Sequence, residues 1–477
     1  MSANKQSLPS ALRVATLPTV STMNIETSIL DPITISQSQC RFVLERKGIL
    51  DVGSAIQISV HPVAAGDNKC YLPFRTGICA AIQRAVLRIG TTAIATSDEF
   101  GKYSTIKRQF KTNEEKQLKD FVHKGTIDGL EPDNNNLGFY QPANLDWSGG
   151  ATVGVVPSQI KLRTSEIDCP VFTIKLSELF PMMRNTQLPL YLIHEPVSIE
   201  ISWKRQQNGV GNIGNIACFE DSYAGDTSIS IGQSNVKFLA DYLTYDDDRM
   251  EETAKLVMSP GGMVIPYEDL ILTSTSHPAV VPNPAGAAVV PQDVNRELGL
   301  SGKVVRSIVG MDSKTVNNLV LGRYASHGYN VADAYNVRIN DKLKYNRSVV
   351  RESYKQSQLA QVFSTDLNVL NCEFSTNQLT NKQEANHPIN NEMISISTVE
   401  GHTVRGQLEG HQHFFGIDLT TSPYNVMGVG VEVGQKPISI DRTIYRTAEN
   451  NSERFTSYWA VVERQMTIRI GQVQVSA

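Results

Sequence analysis

Hydrophobic and polar positions alternate most regularly between Pro170 and Trp203. Phe172, Ile174 and Leu176 alternate with Val171, Thr173 and Lys175, which predicts a strand. Residues 177–180 read as one helical turn, with Ser177 as its cap and Pro181 cutting it short. Val197, Ile199, Ile201 and Trp203 then share one face of a strand, while Ser198, Glu200 and Ser202 share the other. One face suits a core and the other suits water or a polar partner. The end of the chain has the same character. Met466, Ile468 and Ile470 fall on one face, Gly471 shifts the phase at an expected bulge, and Val473 and Val475 continue the pattern. Two strong closing strands, one per half, predict two β units in tandem.

Taken in order, residues 1–37 lack periodicity and carry Pro9, Pro18 and Pro32 among Ser, Thr and Asn. This predicts an extended N-terminal arm, ordered only where it lies against something else. A first unit, 38–245, opens with strands at 41–44, 56–60 and 82–89, the last ending at Gly90. Thr112 and Glu115 form a capping-box pair ahead of an apolar stripe of Leu118, Phe121 and Val122, so a helix is expected to run to Gly125. Asp246, Asp247 and Asp248 favour the start of another helix over 249–257, where Met250, Ala254 and Val257 share a face. Residues 246–262 are therefore the expected joint. The second unit, 263–477, begins with strands at 263–267 and 270–272 and continues with short ones at 319–321, 393–397, 414–419, 429–433 and 438–440. Residues 277–291 form a Pro/Ala/Val loop, and 343–363 are expected to be partly helical. Short strands between turn signals, twice over and with few helices, argue for an all-β fold of paired sandwiches.

Composition narrows the function rather than naming it. At 477 residues the chain exceeds one simple core, and two domains are the default. A net charge of −4 advertises no polyanionic partner, so no direct nucleic-acid binding is expected. The first thirty residues carry only Lys5 and Arg13 as cations, too few for a nucleic-acid-binding arm, and are too polar for a signal peptide or membrane helix. Cys40, Cys70, Cys79, Cys169, Cys218 and Cys372 have no C-x-x-C spacing and read as reduced, mostly buried thiols.

The motif scan yields no catalytic residue, cofactor site or metal site. Residues 209–214 spell G-x-G-x-x-G, but polar residues precede the run and no helix pattern follows it, so it reads as a loop. His411 and His413 would share a strand face, with His402 and Glu409 near in sequence, yet no third and fourth metal ligand can be placed. The acids at 246–248 diverge in direction and suit a helix start better than a metal. Signatures for nucleophilic hydrolases, zinc peptidases, P-loops and EF-hands are missing.

Four passages belong together: the opening 41–50, the pair formed by 72–73 with 77–78 and 87–90, the block 176–180 with 188–190, and the closing 458–475. In pattern and order they resemble the double jelly-roll major capsid proteins of the tailless icosahedral double-stranded DNA viruses, most of all the polinton-like and virophage capsids. The resemblance implies two tandem eight-stranded jelly-roll β-sandwiches with short inserted helices, and a structural role without catalysis. Three subunits would form a pseudo-hexameric capsomer that tiles an icosahedral shell, in contact with neighbouring capsomers, penton and minor capsid proteins in the virion. Trp203, Tyr458 and Trp459 are the candidate aromatic interface anchors and the arm 1–37 the candidate lattice contact, with a place in the core, or disorder for the arm, as the other reading of each. Rival readings are a carbohydrate-binding jelly roll, a minor capsid protein of the same fold, and a metal-dependent β-rich enzyme using His411 and His413.

Overall fold

The computed structural model describes residues 24–36, 38–59, 61–62, 71–73, 77–108, 119–124, 145–146, 159–162, 171–184, 186–204, 216–217, 228–230, 236–245, 247–277, 290–313, 334–349, 358, 361–363, 413–420, 430–446 and 454–476. The first set of principal strands is β1 (Asn24–Leu30), β2 (Gln39–Val43), β3 (Ala55–Ser59), β4 (Ile82–Ile89), β5 (Thr92–Asp98), β6 (Val171–Lys175), β7 (Val197–Trp203) and β8 (Val236–Thr244). One sheet runs β1-β8-β3-β6 and the other β2-β7-β4-β5, with every neighbour antiparallel. Helix α1 (Phe100–Arg108) follows β5, and α2 (Asp247–Met258) follows β8.

The second set is β9 (Met263–His277), β10 (Val290–Leu298), β11 (Val304–Ser313), β12 (Ala334–Ile339), β13 (Lys342–Leu343), β14 (His413–Asp418), β15 (Ile438–Arg446) and β16 (Arg454–Arg469), with β17 (Gln472–Ser476) added at the end. Its sheets run β9-β16-β11-β14 and β10-β15-β12-β13, again antiparallel throughout. Adding eight to each label of the first set gives the second. The chain therefore builds one eight-stranded, jelly-roll strand order twice.

Each roll is held by the inward faces of its two sheets. In β7, Val197, Ile199, Ile201 and Trp203 are all buried, as their alternation predicts, each worth roughly 1.5–3 kcal/mol by removal from water. On the other face Glu200 receives Arg88 at 2.7 Å. In the second roll the rings of Tyr335 and Phe415 lie 5.0 Å apart, and Tyr458 meets Phe415 edge-on at 5.9 Å. Gly310 makes room for them, since a Cβ there would stand 2.1 Å from Phe415 Cζ.

Several expectations are corrected. Residues 24–35 of the expected arm are built into the first roll: β1 pairs along its whole length with β8, and Thr34–Ile35 pairs with β2. Their pattern misled because β1 is an edge strand with mostly exposed side chains, so it lacks a clean apolar face. Gly471 marks no bulge. Ile470 and Gly471, with φ of +51° and +75°, form the turn between β16 and β17, and Ile470 is exposed rather than aligned with buried Met466 and Ile468. The single turn near Ser177 begins at Leu176, and Phe180 N–H donates to the Leu176 carbonyl with no side-chain cap. Of the helix expected from Thr112, residues 119–124 are described, and only Phe121–Lys124 is α-helical. Within the stretch 343–363, expected to be partly helical, residues 344–349 are not helical while 358, 361 and 362 are, so that expectation stands. The strands expected at 319–321 and 393–397, the loop 209–214, and residues 1–23 lie outside the described residues.

The seam between the two rolls as candidate functional site

An edge strand leaves a row of N–H and C=O groups unpaired. On β5, the edge of the first roll, side chains of the second roll take three of these groups. Tyr267 Oη donates to the Ile94 carbonyl at 2.8 Å, and Thr96 N–H donates to Asp269 Oδ1 at 3.1 Å. Trp459 Nε1 donates to the Asp98 carbonyl at 3.1 Å. Alternate residues of one strand are thus fastened by β9 and β16 of the other roll.

Asp269 is the hub of this contact. It is 3% exposed, also accepts Leu270 N–H at 2.9 Å, and pairs with Arg464 Nη1 at 2.9 Å. Burial pushes its carboxyl above the ordinary value, against the opposing pull of the Thr96 amide and Arg464. Burial also raises the Tyr267 phenol to about 12, helped by the Asp269 charge and opposed by Arg464. A carboxylate with its oxygens already bonded on three sides is a clamp, not a free proton carrier.

Beside the polar clamp lies an apolar floor. Ala80, Tyr103 and Ile106 of the first roll pack with Leu270, Val309, Met311, Trp459 and Val461 of the second. Tyr103 and Trp459 have ring centroids 6.0 Å apart. Further along, Ile265, Tyr267, Met466 and Ile468 join the core of the first roll outright. The β16–β17 turn completes the seam, as His194 N–H donates to the Gly471 carbonyl at 2.9 Å and Ile470 N–H to that of Val257 at 3.3 Å. A Cβ on residue 471 would lie 2.3 Å from the His194 ring. Tyr191 Oη, donating to the Met250 carbonyl at 3.3 Å, ties α2 to the first roll.

Two buried charge clusters brace the first roll near this seam. Lys124 Nζ lies 2.7 Å from Glu178 and 3.2 Å from Asp120, and these carboxylates hold its ammonium above the ordinary value although burial alone would lower it. Lys204 reaches Glu99 at 3.1 Å and Lys102 at 3.5 Å completes the group. Burial would raise the Glu99 carboxyl, but the two lysines outweigh it and hold it below the ordinary value. Both clusters are satisfied ion groups joining separate chain segments.

The candidate interface anchors do not face outward. Trp203, Tyr458 and Trp459 are 1%, 1% and 0% exposed, so none offers surface to another subunit. Trp203 and Tyr458 belong to the cores of their own rolls, whereas Trp459 joins the two rolls within one chain. Among the described residues, no three His, Cys, Asp or Glu side chains converge as metal ligands. His411 lies outside the described residues, and His413 opens β14. Asp269 and Arg464 carried no distinct signal in the sequence, since each stands beside another charged residue, Glu268 and Glu463, in its own strand.

No protein-family model matches the chain, and no curated protein does. Solved structures do. PBCV-1 VP54, fitted into a reconstruction of the virophage Sputnik, aligns with a TM-score of 0.57 at 12% identity over 96% of this chain and 97% of that one. A PBCV-1 capsid structure gives 0.56 at 12% identity over 96% and 97%, and the Sputnik virophage structure 0.50 at 12% over 98% and 92%. This chain is a double jelly roll. The alignments run through both rolls, so the likeness is to the whole two-roll arrangement and not to a single sandwich.

Proposed function

We propose that this chain is a structural major capsid protein, whose three copies form a pseudo-hexameric capsomer of an icosahedral viral shell. The observation that carries the reading is the repeat of one strand order twice in a chain, with the rolls locked by a buried seam. A rigid pair of like wedges is what a threefold assembly needs to present six similar sides. The shared fold with the PBCV-1 capsid and Sputnik structures supports the same role. The virion is the setting, and neighbouring capsomers, penton and minor capsid proteins are the partners. Within the expected arm, residues 1–23, ahead of β1, are the part left to reach those neighbours. The role requires no catalysis.

Light scattering on the purified protein tests the reading. It is expected to give a stable species of three times 52.6 kDa. A monomer at all concentrations would contradict it.

A further inference from the structure

Helix α2 is covered on one face only. Val257 and Ala254 meet the core of the first roll. Asp248, Glu251, Glu252 and Lys255 are exposed, as polar residues on a helix surface are expected to be. Two large apolar side chains are exposed with them, Leu256 at 56% and Met258 at 69%. Ile470, at 58%, stands beside them, because its N–H donates to the Val257 carbonyl. The C-terminal end of α2 and the β16–β17 turn thus gather three large apolar side chains that nothing among the described residues covers.

We infer that residues 12–23 of the same chain seat on this end of α2, with Leu17 and Val20 against Leu256, Met258 and Ile470. The point of departure names that occupant. β1 opens at Asn24, which pairs with Thr244, and α2 starts at Asp247, so the segment ahead of β1 and the helix leave the roll side by side. The length agrees. The 12 residues of α2 span about 18 Å, which roughly 6 residues of extended chain cover, so Leu17, counted back from Asn24, comes level with the end of the helix. The chemistry is complementary. Residues 1–23 carry Leu12, Val14, Leu17 and Val20, with Lys5 and Arg13 as cations and no acid, whereas α2 sets Asp247, Asp248, Glu251 and Glu252 against Arg249 and Lys255. Residues 1–11 extend past the seat and are the part left for the neighbours proposed above. The seat itself does not depend on the capsid reading.

Amide hydrogen exchange read by mass spectrometry tests the seat on the full chain, on a chain lacking residues 2–20, which leaves β1 whole, and on Leu17→Asp/Val20→Asp. Peptides covering 247–258 are expected to exchange about 10-fold faster in both variants than in the wild type. Leu256→Gln/Met258→Gln, which keeps good helix formers in α2, is expected to do the same. Val171→Asp, at an exposed apolar position on β6, is the control and leaves exchange of α2 unchanged. The protection is expected to persist on dilution, since both partners belong to one chain. Equal exchange of α2 with and without residues 2–20 would overturn the seat and leave the bare face to another partner. Protection lost on dilution would overturn the own-chain assignment in favour of a second copy's segment. Light scattering on the same samples reads the capsid proposal separately: a monomer with α2 protected would keep the seat and contradict the trimer.

Discussion

Removing the Trp459 side chain examines the seam at its centre. The indole is fully buried, packs against Tyr103, and donates to the Asp98 carbonyl across the roll boundary. Trp459→Phe keeps most of the apolar volume but leaves that carbonyl unpaired, at a cost of about 1–3 kcal/mol. Trp459→Ala adds a cavity and is expected to cost about 3–5 kcal/mol. For rolls of this size each kcal/mol lowers the midpoint by roughly 2–4 °C, so the alanine variant should melt on the order of 10 °C early. The shape of the melt matters more than its position. The seam couples the rolls, so calorimetry of Trp459→Ala should split into two transitions where the wild type shows one. Trimer mass at low temperature should stay the same, because the indole touches only its own chain. An unchanged melt, or loss of trimer without loss of subunit stability, would refute the assignment of Trp459 to the seam.

Other parts of the seam give further predictions. Gly471→Ala forces a side chain into positive φ and onto the His194 ring, so destabilisation of about 2 kcal/mol or more is expected in urea unfolding, against little change for Gly261→Ala, where space is open. Asp269 has a raised folded-state pKa, so the folded form holds its proton more tightly than the unfolded chain does and gains stability from this group as pH falls. The stability difference between wild type and Asp269→Asn should therefore move in favour of the wild type from pH 7 toward pH 4; movement the other way would show that the Arg464 attraction outweighs burial. Burial pushes the Cys40 and Cys79 thiols to about 12 and about 11, so peptide-level alkylation at pH 8 should miss both in the native protein and label both in denaturant.

Strands buried on one face were legible in the sequence because period-two alternation reports burial directly. β7 and β8 carry that signal, and both lie near the middle of their sheets. β1 did not, since Ile25 and Ile29 face outward and only Leu30 reaches the core, so it read as part of an arm. Helix α1 has no clear sequence signal because its buried apolar positions, Phe100, Tyr103 and Ile106, are spread among polar residues, of which Lys102 and Thr105 are buried too, and belong to two different clusters. Of the three large aromatics, Trp203 and Tyr458 take the core reading that their size allows, and Trp459 meets the other roll. A sequence shows that Trp459 wants a partner surface, but only the fold shows that this surface belongs to the same chain. Asp269 and Arg464 are 195 residues apart in numbering and adjacent only because β9 pairs with β16.

The central claim is that two like rolls per chain make a six-sided object from three chains. Electron microscopy of the purified assembly, averaged without imposed symmetry, tests it most directly. The account predicts a hexagonal outline whose sides alternate between two kinds of roll, with true threefold symmetry. A round or two-lobed particle, or six identical lobes from six chains, would contradict it.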